Sequence, residues 1–207
     1  APYLSKFPLG MVPAIEDTDS TRIAEMGAIL TYLANKHGWD DLYPTTLAER
    51  ARVDEYLHWH HSNVRPITKA LFAPKVRPDI VQSEEQIEAG KVASTSGLSK
   101  MDSIWLESKP FLTGDAPTLA DIAAYGELCQ FAPRFGNMVD YPSEYPRIDE
   151  WMGRMAALPF HDEVHTALDV LGDISEDSTE DIVKRLGPAT KSGMQALKGA
   201  GATTSRL

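Results

Sequence analysis

The sequence predicts an α+β protein in which a small β-hairpin and the helix after it lead into an all-helical body. Three observations carry that prediction. Val12-Pro13-Ala14-Ile15 is a short β-prone run followed by the polar turn Glu16 to Ser20. Met26, Ile29, Leu30 and Leu33 then repeat at i, i+3, i+4 and i+7, the apolar stripe of an amphipathic helix. From Leu47 onward no segment alternates polar and apolar residues as a half-buried strand does.

Pro13 has no N–H to give to a sheet, so it opens the first strand instead of lying within it. The Val12–Pro13 bond is expected to be cis, because only X–Pro bonds carry a modest cis penalty. A cis bond there turns the Val12 backbone outward, toward a cleft. Thr21-Arg22-Ile23 supplies the returning strand. Glu25 falls at the start of the next helix, where free N–H groups and the positive dipole end favour an anion. It is either a plain helix-start acid, with Met26 a core residue, or one side of a ligand site.

Residues 37–46, punctuated by Gly38 and Pro44, read as a linker between a first unit, 1–36, and a helical unit, 47–172. The first long helix, about Leu47 to Leu71, places Val53, Tyr56, Leu57, His60 and Val64 on one face. Asp54, His58, His61 and Arg65 fall on another, at i, i+4, i+7 and i+11. That stripe is either a solvated face or the wall of a substrate cleft and dimer groove. Pro66 should bend the helix by removing one backbone bond. The next helix, about Asp79 to Ser108, is expected to be interrupted at Ser94-Thr95-Ser96-Gly97. Gly90 and Gly97 weaken it by about 1 kcal/mol each relative to Ala, a cost that close helix contact could offset.

Thr118 and Asp121 have the spacing of a capping box, with Asp in place of Glu. Pro146 opens a helix whose Ile148, Trp151, Met152 and Met155 face inward, and Val164, Leu168 and Leu171 mark a last core helix. Residues 173–207 form an extension, acidic through Ser175 to Asp181 and then small, polar and basic. Packing against the helical body competes with disorder for this tail.

Composition narrows the functional classes. A net charge of −10 argues against nucleic-acid partners and anionic membrane surfaces. No apolar run is long enough to span a membrane, and the first residues lack the layout of a signal peptide. The single cysteine, Cys129, lies on an apolar helix face and reads as a buried structural thiol. His58, His60 and His61 point along two faces with no further ligand implied, so no metal site is expected.

Phe7 to Asp17 followed by Ala24-Glu25-Met26-Gly27-Ala28-Ile29-Leu30 resembles the second half of the thioredoxin-like domain of the glutathione transferase family. Arg50 to His61 is similar to the fourth helix of theta-type members, and Gly114-Asp115-Ala116-Pro117-Thr118-Leu119-Ala120-Asp121 to the folding signature of their helical domain. The resemblance, over about residues 3 to 170, implies a partial thioredoxin-like domain followed by an all-α C-terminal domain. It implies glutathione as co-substrate, with the Val12 and Pro13 backbone pairing its cysteinyl backbone and Glu25 taking its γ-glutamyl ammonium. Met26 stands where a Ser or Thr usually takes the glutathione carboxylate, and Met11 also departs from the pattern. Asp54 would reach the ammonium across a homodimer groove near Arg52 and His58, while His58, His61 and Arg65 would line the pocket of a small electrophile. A cytoplasmic transferase is the implied setting. The thiol-activating Tyr, Ser or Cys of the family belongs to a first βαβ unit that does not fit before Phe7, so no catalytic residue is named. The alternative is a non-catalytic scaffolding or assembly subunit of a larger complex.

Overall fold

The computed structural model describes residues 2–77, 79 and 81–204. A short helix α1 (Pro2–Lys6), which the sequence pattern did not announce, precedes strands β1 (Ala14–Glu16) and β2 (Arg22–Ala24). The strands pair antiparallel with Ala14 opposite Ala24 and Glu16 opposite Arg22. Asp17 closes the turn, its N–H donating to the Thr21 carbonyl at 2.9 Å. Its carboxylate accepts from the Tyr32 hydroxyl at 2.6 Å and pairs with Lys36, which pins the hairpin to helix α2 (Met26–His37). Those partners, Lys36 foremost, hold the Asp17 carboxyl well below the usual carboxylate range.

Among the described residues, helices α2, α3 (Leu47–Asn63), α4 (Ala73–Val76), α5 (Glu84–Lys100), α6 (Leu119–Leu128), α7 (Tyr141–Glu144), α8 (Pro146–Ala156), α9 (His161–Leu171) and α10 (Thr179–Thr204) build the rest of the fold; the short α4 and α7 had no sequence signal. Helix α3 stops just before the Arg65-Pro66 pair, as the missing proline N–H requires, and a π-helical turn over Thr68–Phe72 leads into α4. The core joins Val53, Tyr56, Val64 and Ile67 to Leu98 and Met101, to Leu119 and Leu128 of α6, and to Ile148, Trp151 and Met155 of α8. Among the described residues no helix is long and apolar enough to cross a membrane.

The expected interruption at Ser94–Gly97 does not occur. Ser94 and Thr95 turn their hydroxyls onto the carbonyls of Gly90 and Lys91 at 2.6 and 3.0 Å, and α5 runs on unbroken to Lys100. Its start is a Ser83/Gln86 capping box instead of the expected position near Asp79, and Ile80 lies outside the described residues. Gly97 is where α5 meets the end of α3: a Cβ there would stand 1.9 Å from the backbone oxygen of Asn63. Close approach of two backbones is thus what offsets the low helix propensity of glycine.

The tail packs. Ile182 and Ala189 of α10 are buried with Leu171 and Ile174, and Gly193 admits Ala167 of α9, whose Cβ an added methyl would meet at 2.9 Å. Lys75 donates to the Ile174 carbonyl at 3.2 Å and also to that of Ser175, fixing the turn between α9 and α10. Val164, by contrast, leaves the expected core stripe and lies exposed on α9.

Asp121 holds the centre of the helical body. Fully buried, its carboxylate accepts from the Leu112 N–H (2.9 Å), the Thr118 N–H (2.9 Å), the Thr118 hydroxyl (3.1 Å) and the Trp151 indole N–H (2.9 Å). Asp102 plays a similar part for α8, accepting from the first free N–H groups, those of Arg147 and Ile148, at 2.8 and 3.0 Å.

Two substitutions test this account by urea denaturation. Gly97→Ala should destabilise by at least about 2 kcal/mol, against the gain of about 1 kcal/mol that helix propensity alone gives. Asp121→Ala, which strands two backbone N–H groups and an indole N–H, should cost at least about 3 kcal/mol. An unchanged midpoint for either would remove the stated contact as a source of stability.

Candidate functional site

The hairpin register brings the first four candidate residues together. Ala14 faces Ala24, so Val12 and Pro13, just before the paired residues, and Glu25 and Met26, just after them, leave the same end of the hairpin. The Val12–Pro13 bond is cis, and Val12 is 78% exposed and outside the paired strand. Glu25 stands at φ 75° and ψ 121°. This is a strained position for a residue with a Cβ, costing on the order of 1–3 kcal/mol, of the kind that recurs at ligand clamps. Its side chain makes no capping bond and is exposed, and the N–H groups of the first turn of α2, beginning at Met26, follow directly. The result is an open strand edge, a carboxylate and a 12-residue helix N-terminus on one side of the hairpin.

The second group is arranged differently from a free polar stripe. Asp54 accepts from the hydroxyl of Tyr43 at 2.9 Å, and the Arg50 guanidinium sits 4.4 Å over the same ring. The linker residue Tyr43 is buried by this contact, and Leu42 accepts from the Leu119 N–H at 2.9 Å, so the loop is fastened to α3 and α6. Arg65 lies past the end of α3 and reaches both oxygens of the nearly buried Glu127 at 2.9 and 3.1 Å; Thr68 also donates to Glu127. His58 and His61 remain exposed on α3, and Arg52 turns to the opposite edge of that helix, over Trp105. The structure therefore assembles Val12, Pro13, Glu25 and Met26 locally, clamps Asp54 and Arg65 with partners of this chain, and leaves His58 and His61 open. A cavity of about 310 Å3 between α3 and the end of α5 is lined by none of these residues.

Tyr43 and Glu127 had no signal in the sequence, since each meets its partner across a separation that no helical or strand period connects. Glu25 could have been suspected from its place at a strand-to-helix junction, but its backbone strain is a tertiary fact. Cys129 is buried, and burial pushes its thiol up to about 12, which disqualifies it as a nucleophile. Among the described residues no group of three His, Cys, Asp or Glu side chains is placed to hold a metal ion.

His60, which shares the face of Val53 and Tyr56, is buried with them. The ring is 1% exposed, lies 5.8 Å from Tyr56 centroid to centroid, and neither nitrogen meets a hydrogen-bonding partner among the described residues. Burial, with smaller contributions from Arg65 and His61, pushes its pKa down to about 4.

Comparison with known proteins fits this geometry. The family model described as "Glutathione S-transferase, C-terminal domain" matches residues 64–159. Chicken (Gallus gallus) glutathione S-transferase theta-1 is 34% identical over 152 residues, covering 71% of this chain and 57% of the relative. Mouse (Mus musculus) glutathione S-transferase theta-1 is 33% identical over 183 residues, covering 85% of this chain and 74% of the relative. A solved structure of human glutathione transferase theta-2, in complex with glutathione and an unknown ligand, superposes with a TM-score of 0.70 at 26% identity, covering 95% of this chain and 82% of that one. An α+β chain with a thioredoxin-like hairpin and helix and an all-helical C-terminal part, it belongs to the glutathione S-transferase family and is theta-like. It spans 57% of the length of the chicken relative.

The neutral burial of His60 gives a pH dependence with a definite sign. Above pH 6.5 the imidazole is neutral folded or unfolded; as pH falls toward 4, the unfolded chain takes up a proton that the folded chain resists. Stability should therefore drop by about 2 kcal/mol between pH 7 and pH 5 from this group. Urea titrations should show that share of the drop disappearing in His60→Phe; a variant with the same pH slope as the parent would contradict it.

Proposed function

We propose that this chain forms the glutathione-binding edge and the electrophile pocket of a theta-like glutathione transferase. The observation that carries the reading is the exposed Val12 at the same end of the hairpin as a strained Glu25, whose carboxylate makes no ion pair among the described residues. An extended cysteinyl backbone can add to that edge as a further strand. Glu25 would take the γ-glutamyl ammonium, and the first N–H groups of α2 would take the glutathione carboxylate without help from the Met26 thioether, which donates no hydrogen bond. The human theta-2 structure that superposes on the chain holds glutathione, which supports this assignment.

On this reading residues 1–36 are the second half of the thioredoxin-like domain, 37–46 the linker, 47–172 the helical domain and 173–207 an extension. His58, His61 and Arg65 line the electrophile pocket, with Arg65 oriented by Glu127. Asp54 would serve a cytoplasmic homodimer across its groove in competition with Tyr43. Chemically, a thiolate attacks the electrophilic carbon, a carbon–sulfur bond forms and the leaving group departs with its electron pair. Stabilising that thiolate needs a hydrogen-bond donor. We assign that role to a residue of a first βαβ unit, which the described residues do not contain.

The edge and Glu25 offer two or three hydrogen bonds of about 1 kcal/mol net each, against association costs of about 4 kcal/mol or more. Calorimetry should accordingly find this chain binding glutathione with Kd above about 1 mM, and a product extended by the βαβ unit binding it measurably. In that extended product Glu25→Gln should weaken binding about tenfold. Tight binding by the chain alone would show a complete site without the added unit. Failure of the extended product would turn the reading toward a scaffolding subunit.

A further inference from the structure

A second site lies on the other edge of α3. The cavity of about 310 Å3 between α3 and the end of α5 is large enough for a small ligand, whose pockets run from about 300 to 1,000 Å3. Trp59 and Trp105, both half-buried, form its aromatic wall, with ring centroids 5.6 Å apart and planes 50° apart. The fully buried Tyr56 stands edge-on to Trp105 at 4.9 Å and fixes the orientation of that ring.

The rim carries Arg52, Lys100 and Lys109 against one carboxylate, Glu55, a formal excess of two positive charges on a chain whose net charge is −10. Arg52 pairs with Glu55 and lies 5.4 Å over Trp105, so its guanidinium is already oriented. Lys100 and Lys109 have no carboxylate within 4 Å among the described residues. Three cationic donors with a surplus of two charges suit a dianion better than a single carboxylate, and two indoles suit a flat ring.

We propose that this cavity binds a planar aromatic ring carrying a dianionic phosphate, of the size of a nucleoside monophosphate. The ring stacks on the face of one of the two indoles, with the other, inclined 50° to it, at the ring's edge, while the phosphate takes the ammonium groups of Lys100 and Lys109 and the N–H groups of Arg52. The site is separate from the glutathione edge: Arg52 and Trp59 face Trp105 in the segment after α5, whereas Val12 and Glu25 belong to the hairpin and the start of α2.

Adenosine 5′-monophosphate is the probe, titrated into the full chain by calorimetry and by indole emission, since two of the four tryptophans line the cavity. Saturable binding is expected, with adenosine and ribose 5-phosphate each at least about tenfold weaker. Lys100→Glu with Lys109→Glu should weaken binding by at least about tenfold, whereas Lys191→Glu on the exposed side of α10 should leave it unchanged. No saturation by about 1 mM overturns the proposal. So does equal affinity for ribose 5-phosphate, which would reduce the site to an anion patch, or full affinity in the charge-reversed variant. If that variant does not fold, indole N–H shifts of the parent chain decide. Shifts at Trp59 and Trp105 support the site, and shifts confined to Trp39 or Trp151 overturn it.

Discussion

A buried carboxylate is costly unless every lone pair finds a donor, and Asp121 meets that condition with groups from three separate places in the chain. Its partners are the loop at Leu112, the start of its own helix at Thr118 and the indole of Trp151 on α8. Burial nonetheless raises its pKa, the desolvation outweighing the four donors that favour the charged form. Such a group rewards one arrangement of α6, α8 and the preceding loop and penalises others, so the helical body has a defined geometry before any ligand arrives. The N-terminal unit then attaches to that body through the linker, where Leu119 donates to Leu42 and Asp54 takes the Tyr43 hydroxyl.

The same pattern of shared polar groups shapes the candidate site. Arg65 is not a free cation searching for an anion; Glu127, itself oriented by Thr68, holds it in place. An oriented guanidinium loses less freedom when it engages a substrate, at the cost of having part of its charge already neutralised. Glu25 shows the complementary device, a side chain with no ion pair among the described residues on a strained backbone. Stability is spread through the helical body, while the hairpin that carries Glu25 rests on three-residue strands and the Asp17 contacts to Tyr32 and Lys36. A small sheet of this kind depends on its neighbours for independent stability.

Much of the fold was legible because local chemistry and tertiary packing agree. The Thr118/Asp121 box, the Pro146 helix start and the Ile148, Trp151, Met152, Met155 stripe each name their element without reference to the rest of the chain. The reading failed where short-range propensity met long-range contact. Serines and glycines between Gly90 and Gly97 weaken an isolated helix, yet α5 is continuous because Asn63 and Ala70 approach where only glycine leaves room. Whether residues beyond Asp173 fold was open for the same reason: Ile182 and Ala189 are too few to make a core, and are buried only because Leu171 and Ile174 are there to cover them.

The sequence by itself determined the hairpin and the main helices through α9, most of their inward faces and the place of Val12, Pro13, Glu25 and Met26 on one hairpin and its helix. These follow from periods, caps and prolines, which act over a few residues. Only the tertiary structure decided that Asp54 belongs to Tyr43, that Arg65 belongs to Glu127 and that Arg52 meets Trp105. Those pairings join residues that no local period connects, so they are fixed by how helices pack and not by any pattern a single segment carries.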